Sequence, residues 1–189
     1  MFEKREIAVS TSQTSTTIQI SSKYDQKFIK LSEENLRVKS TALLKYGSFF
    51  YLIINAQNTI SNLYAYEVYE TAETDLRISD RLTTEKMKID QVELVFTAVN
   101  IDPKREKHTI ETLILRRVNS ENLECRRIVV RHRKEICVGE EGVAFSCALE
   151  VISAVGFMAS GQELEILATT ESGLVRLSEY SQPCLLLTG

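Results

Sequence analysis

Ten basic side chains fall between Lys104 and Lys134: Lys104, Arg105, Lys107, Arg116, Arg117, Arg126, Arg127, Arg131, Arg133 and Lys134. Only Glu106, Glu111, Glu121 and Glu124 lie among them, so this segment carries +6. The other 13 basic and 22 acidic residues carry −9, which recovers the −3 of the whole chain. An arginine fork donates two parallel N–H bonds to a phosphate, and clustered cations raise the local potential for any anionic partner. Arg127, Arg131 and Arg133 share one parity along a candidate strand, so they project from one of its faces. The chemistry implied is recognition of a polyanion, either RNA, DNA or an anionic membrane surface. The competing reading is a solvated outer face whose arginines are matched by acidic neighbours.

Other reactive residue types are sparse. The two histidines, His108 and His132, lie in the same segment; His132 has the parity of Ile128 and Val130 and so reads as a core residue. Cys125, Cys137, Cys147 and Cys184 have 11, 9 and 36 residues between them. Structural zinc takes its ligands in close pairs, and no such pair exists here, so no metal is expected. The same spacing reads as free thiols in a reducing compartment. No glycine-rich phosphate loop, nucleophile elbow or H-E-x-x-H is present, which argues against an enzyme and against a bound cofactor. Asp75 with Asp80, and Glu140 with Glu141, are carboxylate pairs on turn-like segments without diagnostic spacing. Tyr64, Tyr66 and Tyr69 suit a half-buried strand as well as they suit a base-stacking platform.

The elements that must position these residues read as mainly β. A Ser/Thr tract runs into Ile18 and Ile20 and predicts an edge strand over 16–22, with residues 1–15 as a flexible N-terminal arm. Ser32, Glu33 and Glu34 resemble a helix start and Gly47 a helix stop, which predicts a helix over 32–46. Ser48 to Ala56 is an almost unbroken apolar run and pairs as a hairpin with Leu63 to Tyr69. Met87 to Ile101 is a strand with Val92, Leu94, Phe96 and Ala98 on one face, ended by Asp102-Pro103. Ile110 to Val118 and Leu123 to Val130 form a hairpin. A four-residue loop would set Arg117 opposite Glu124 and Leu113 opposite Ile128. Gly139 to Gly142 reads as a tight turn joining Ile128 to Val138 with the segment from Val143, of which the first half is a strand. Leu164 to Thr169 and Leu174 to Ser178 form a last hairpin. The fold class is therefore mainly β, with α+β as the variant. Residues 16–189 form a single β-rich domain, an antiparallel sheet or β-sandwich with one or two helices.

At 189 residues, 43% hydrophobic and 26% charged, the chain has the composition of one globular domain. It shows no signal-peptide core and no transmembrane run, so a cytoplasmic or nuclear location is expected rather than secretion. The end, Pro183 to Gly189, is apolar where termini are ordinarily polar. It either docks into its own domain or meets a neighbouring subunit or partner. Taken together, the residues point to a non-catalytic interaction or assembly protein whose arginine-rich sheet face binds nucleic acid or another polyanion, self-associating through a sheet edge or the C-terminal tail. A viral coat, matrix or movement protein has this physical character. The alternatives are an intracellular protein-binding adaptor and, behind it, a small enzyme with a scattered site.

Overall fold

The computed structural model describes residues 6–11, 16–21, 25–31, 37–47, 49–57, 61–70, 76–79, 89–102, 107–131, 135–159, 163–179 and 182–188. Most of these are in strands, arranged in three sheets. The first is antiparallel, β1 (Glu6–Thr11), β2 (Thr16–Ser21) and β3 (Gln26–Leu31), in that order. The second is β4 (Arg37–Tyr46), β5 (Phe49–Gln57), β6 (Ser61–Glu70) and β7 (Leu76–Ile78). The remaining eight strands are β8 (Val92–Asp102), β9 (Lys107–Arg117), β10 (Asn122–Arg131), β11 (Glu135–Ser146), β12 (Val151–Ala159), β13 (Glu165–Thr170), β14 (Gly173–Ser178) and β15 (Cys184–Thr188). They form one sheet in the order β11-β10-β9-β8-β12-β13-β14-β15, antiparallel except for the parallel pair β8–β12. No helix of the described residues is long and apolar enough to cross a membrane.

The four-stranded sheet is a middle layer. Its β5 is buried from Tyr51 to Ala56 because it meets apolar surface on both faces, which is why the run reads as continuous rather than alternating. Leu52, Ile54, Tyr64, Tyr66 and Val68 pack on Ile18, Ile20 and Ile29 of the three-stranded sheet. Tyr51, Ile53, Leu63 and Ala65 pack the other way, on Val92, Val95, Ile114, Ile128 and Ile136. Tyr64 and Tyr66 are thus core residues and offer no stacking platform. Asn55, fully buried among these side chains, donates to the carbonyls of Glu93 at 3.2 Å and Val92 at 3.4 Å and ties β5 to the start of β8.

Two expectations fail in this part of the chain. Of the expected helix over 32–46, residues 37–46 are strand β4 and residues 32–36 lie outside the described residues, among which no helix occurs. Val38 and Leu43 pack on one face of β4, and Ala42 and Leu44 on the other. A register irregularity between Val38 and Ser40 further blurs the period of two. Two-sided burial plus a bulge imitates helical spacing. The strand expected at a sheet edge, β2, is central instead, because Glu6–Thr11, inside the expected N-terminal arm, pairs with it as β1.

The eight-stranded sheet is curled, and chain length requires it. β11 and β12 are four strands apart in the sheet, roughly 19 Å if it were flat, while the short link from Ser146 to Val151 spans at most about 18 Å. Rolling brings β14 towards β11. The interior is filled by Leu94, Phe96, Leu113, Leu115, Leu123, Cys125, Phe145, Met158, Ile166, Val175 and Leu177, contributed by seven consecutive neighbours in the sheet. β8 shifts register between Val92 and Leu94, so Val92 joins Val95 on the outer side instead of sharing a face with Leu94, Phe96 and Ala98 as its spacing suggests.

The β9–β10 hairpin forms one residue away from the expected register. Arg117 lies opposite Leu123, Arg116 opposite Glu124 and Leu113 opposite Arg127. The reason is local: Asn119 Oδ1 accepts from the backbone N–H groups of Glu121 and Asn122, both at 2.9 Å, and the Val118 N–H donates to the Asn122 carbonyl at 2.9 Å, so a side-chain-stabilised turn closes over residues 119–121, one residue tighter than expected. Gly139 to Gly142 is likewise no hairpin turn. β11 runs through it, with Val138 opposite Ile128 and Gly142 opposite Arg126, and residues 139–141 bulge outward. The turn residues there relieve a bulge, because Val143 to Ser146 continue pairing with β10 beyond it. The final hairpin forms as its spacing predicts, with Thr170 opposite Gly173 across a two-residue turn.

Candidate polyanion-binding site

The basic segment spans β9, β10 and the connections at their ends. Arg116 and Arg126 flank Glu124 on the face turned to the middle sheet. Arg116 Nε is 2.5 Å from Glu124 Oε2, and Arg126 Nη2 is 3.0 Å from Glu124 Oε1. Partial burial opposes ionisation of Glu124, but the hydrogen bonds from Arg126 and Arg116 and their charges outweigh it and hold the carboxyl below its ordinary range. The same carboxylate explains Gly142. A Cβ there would sit 2.3 Å from Glu124 Oε1, so a side chain would displace the ion pair.

Arg117, adjacent in the strand, faces the opposite way. Its Nε is 2.6 Å from Glu93 Oε1, its Nη2 is 2.7 Å from the carbonyl of Leu149, and its Nη1 also binds the carbonyl of Cys147. Those carbonyls belong to the short link from β11 to β12, so Arg117 latches the segment that closes the roll. Both ionic side chains are largely buried, 18% and 15% exposed.

Arg127 lies near the other end of β10. Its side chain is 58% exposed, and Nε stands 2.9 Å from Glu111 Oε2. That contact is a charge pair rather than an aligned hydrogen bond, since Glu111 Oε2 has no hydrogen-bond partner; Glu111 Oε1 accepts from Asn100 at 3.3 Å. Arg127 also rims a cleft of about 400 Å³ into the roll, floored by Leu113, Cys125, Val143, Met158 and Leu164. Arg131 ends β10, exposed and opposite Glu135. Lys107 begins β9 opposite Asp102.

The expected arginine-rich face is therefore divided. Arg116 and Arg126 are on one face and Arg117 on the other. Arg127 and Arg131 share parity, opposite Ile128 and Val130. Lys104, Arg105, Arg133 and Lys134 lie outside the described residues, as do His132, Asp75 and Asp80. Four of the five described arginines of this segment hold carboxylates, and the partners Glu93 and Glu111 come from positions that no local pattern connects to them. Glu124 was legible as a partner across the turn, though of Arg117 rather than Arg116.

All four cysteines are free; Cys125, Cys137 and Cys147 are buried and Cys184 is exposed. Among the described residues no three His, Cys, Asp or Glu side chains converge as metal ligands. Burial pushes the Cys125 thiol up to about 12, opposed by the charge of Arg127 and assisted by that of Glu124, so it is not a nucleophile at neutral pH. Titration of the native protein with a thiol reagent should register one fast sulfhydryl, abolished in Cys184→Ser, and three more only in denaturant. Two or more fast thiols in the native state would contradict the burial of this core. Comparison with protein-family models, with curated proteins and with solved structures finds no match for this chain.

Proposed function

We propose that this chain is a non-catalytic interaction protein that binds the phosphates of nucleic acid at one end of its eight-stranded sheet. One observation carries the reading. The connection from β8 to β9 leaves at Asp102 and returns at Lys107, and the connection from β10 to β11 leaves at Arg131 and returns at Glu135. Because β9 and β10 are neighbours, both connections belong to the same end of the sheet. In the sequence, the two connections and the strand ends that bound them contain Lys104, Arg105, Lys107, Arg131, Arg133 and Lys134 against Asp102, Glu106 and Glu135, six bases against three acids. A concentration of positive charge at a strand-end rim suits a phosphate backbone, and it does not draw on the arginines already bound to Glu93, Glu111 and Glu124.

The test is fluorescence anisotropy with a short RNA and its DNA counterpart over a salt series, comparing wild type with Arg131→Glu/Lys134→Glu. Wild type should lose affinity steeply with salt. The variant, folded by circular dichroism, should bind more weakly with a salt slope shallower by about 2, one for each phosphate contact removed. Absence of binding at low salt, or a variant that binds as wild type does, rejects the reading. Binding to anionic vesicles alone would reassign the site to a membrane surface. The protein-adaptor alternative draws its support from the ion-paired state of Arg116, Arg117, Arg126 and Arg127, which leaves those four committed within the fold.

A further inference from the structure

Among the described residues, six strands bound the three sheets: β1 and β3, β4 and β7, β11 and β15. An edge strand presents unpaired N–H and C=O groups to any other strand, and charge on the edge is a common guard against that. β1 contains Glu6, β3 contains Lys27 and Lys30, β4 contains Arg37, Lys39 and Lys45, and β7 contains Arg77. β11 contains Glu135, Glu140 and Glu141 and is bulged besides. β15, Cys184-Leu185-Leu186-Leu187-Thr188, contains no charged residue.

Nor is β15 covered. All five of its side chains are exposed, with Leu185 at 50%, Leu186 at 45% and Leu187 at 65%. A strand at the side of a core normally hides every second side chain. β15 hides none, although Leu185 lies opposite Val175, which is buried in the roll. One extra residue on β15 between the pairs Leu174–Leu187 and Val175–Leu185 also breaks its alternation. Arg176, opposite Cys184, is neutralised by Glu165, so the neighbouring strand presents no net charge to an incoming one. An open backbone edge flanked on both faces by leucine has the features that strand addition uses.

We propose that two copies of this chain associate through antiparallel pairing of β15 with its counterpart, about a two-fold axis near Leu186, joining two eight-stranded sheets into one. The occupant is a second copy because the strand is complementary to itself. Under that axis Leu186 meets its own counterpart, Leu185 meets the counterpart of Leu187, and Cys184 meets that of Thr188, with no like charges opposed. The contact uses the same surface on both copies and closes at two, so it forms dimers rather than fibres. It stands apart from the polyanion reading, since it uses neither the basic rim nor the arginines.

Sedimentation of wild type from low to high micromolar concentration should reveal a reversible dimer, and Leu185→Lys/Leu187→Lys should be monomeric throughout, with the melting temperature that wild type shows at concentrations where it is itself monomeric. The register has its own readout. In Cys184→Ser/Leu186→Cys the two introduced thiols face each other at a Cα separation of about 4.5–5.5 Å, within disulfide range, and mild oxidation should cross-link the dimer. Wild type should not cross-link under the same conditions, because its two Cys184 residues are roughly 14 Å apart along the joint. A monomer at the highest concentration, or a dimer that survives the lysine pair, overturns the proposal. Cross-linking through Cys184 in place of Leu186→Cys overturns the antiparallel arrangement.

Discussion

Gly156→Val is expected to prevent this protein from reaching its native state. Gly156 sits on β12 opposite Ala98 of β8, in the parallel pair that joins the two halves of the eight-stranded sheet. A Cβ at this position would lie 2.7 Å from Ala98 Cβ and 3.3 Å from Phe96 Cε2. Ala98 cannot move aside as the end of a long side chain could, because its Cβ is fixed to the β8 backbone. Overpacking a core commonly costs about 1–3 kcal/mol, and a branched side chain driven into backbone-fixed atoms belongs above that range. Against a total stability of roughly 5–15 kcal/mol, such a loss leaves an aggregated or molten product, detectable as lost near-ultraviolet dichroism and broadened amide spectra. Gly156→Ala should be milder, and Gly156→Ala/Ala98→Gly milder still, since moving the methyl group across the pair restores the space. That positive coupling separates this contact from a general intolerance of glycine replacement. A Gly156→Val protein that melts with the wild type would mean that β8 and β12 do not meet in this register.

The second large effect is expected at Arg117. Arg117→Met keeps much of the aliphatic stem but leaves the Glu93 carboxylate, 15% exposed, without its cation and frees the carbonyls of Cys147 and Leu149. Breaking a buried pair costs about 3–5 kcal/mol, and the remaining water access here reduces that to about 2–3 kcal/mol. For a chain of this size each kcal/mol is about 2–4 °C in melting temperature, so a fall of roughly 4–12 °C should be seen by calorimetry. Arg117→Lys should recover little of it, because one ammonium cannot span a carboxylate and two carbonyls in the geometry of a planar fork. Arg117→Met/Glu93→Gln should lose less than the two single changes together, as expected when the penalty is an orphaned charge. A melting point within 1–2 °C of wild type for Arg117→Met, judged against that same scale, would show that the β11–β12 link is held by its apolar neighbours alone.

The strands of this protein were legible where one of their faces is buried and the other wet. Ile18 and Ile20 against Thr17 and Gln19, and the hairpin of β13 with β14, follow alternation and turn chemistry that a short window contains. β5 was legible for the opposite reason, since burial on both faces leaves an uninterrupted apolar run. β4 was misread as a helix because it is partly buried on both faces and bulged, which removes the period of two without supplying a continuous run. The β9–β10 register was missed by one residue. Its strands favour Arg116–Glu124 as well as Arg117–Glu124, and the choice rests on how Asn119 caps the turn. The basic segment was legible as composition, but whether its arginines are free depends on Glu93, Glu111 and a chain link some thirty residues away.

Local patterns along the chain are enough to specify a β-rich protein, most of its strands and turns, and the concentration of positive charge between residues 104 and 134. Each of these is a property of neighbours in the chain: period-two hydrophobicity, Gly and Asn at turns, and the run of side-chain charges. The partition into three sheets, the parallel contact of β8 with β12, the curl that buries Arg117 in its latch, and the exposure of β15 emerge only on folding. These depend on pairings between residues far apart in sequence. Many strand orders satisfy the same local patterns, and the one adopted is selected by which faces can be buried together within the reach of the links between them.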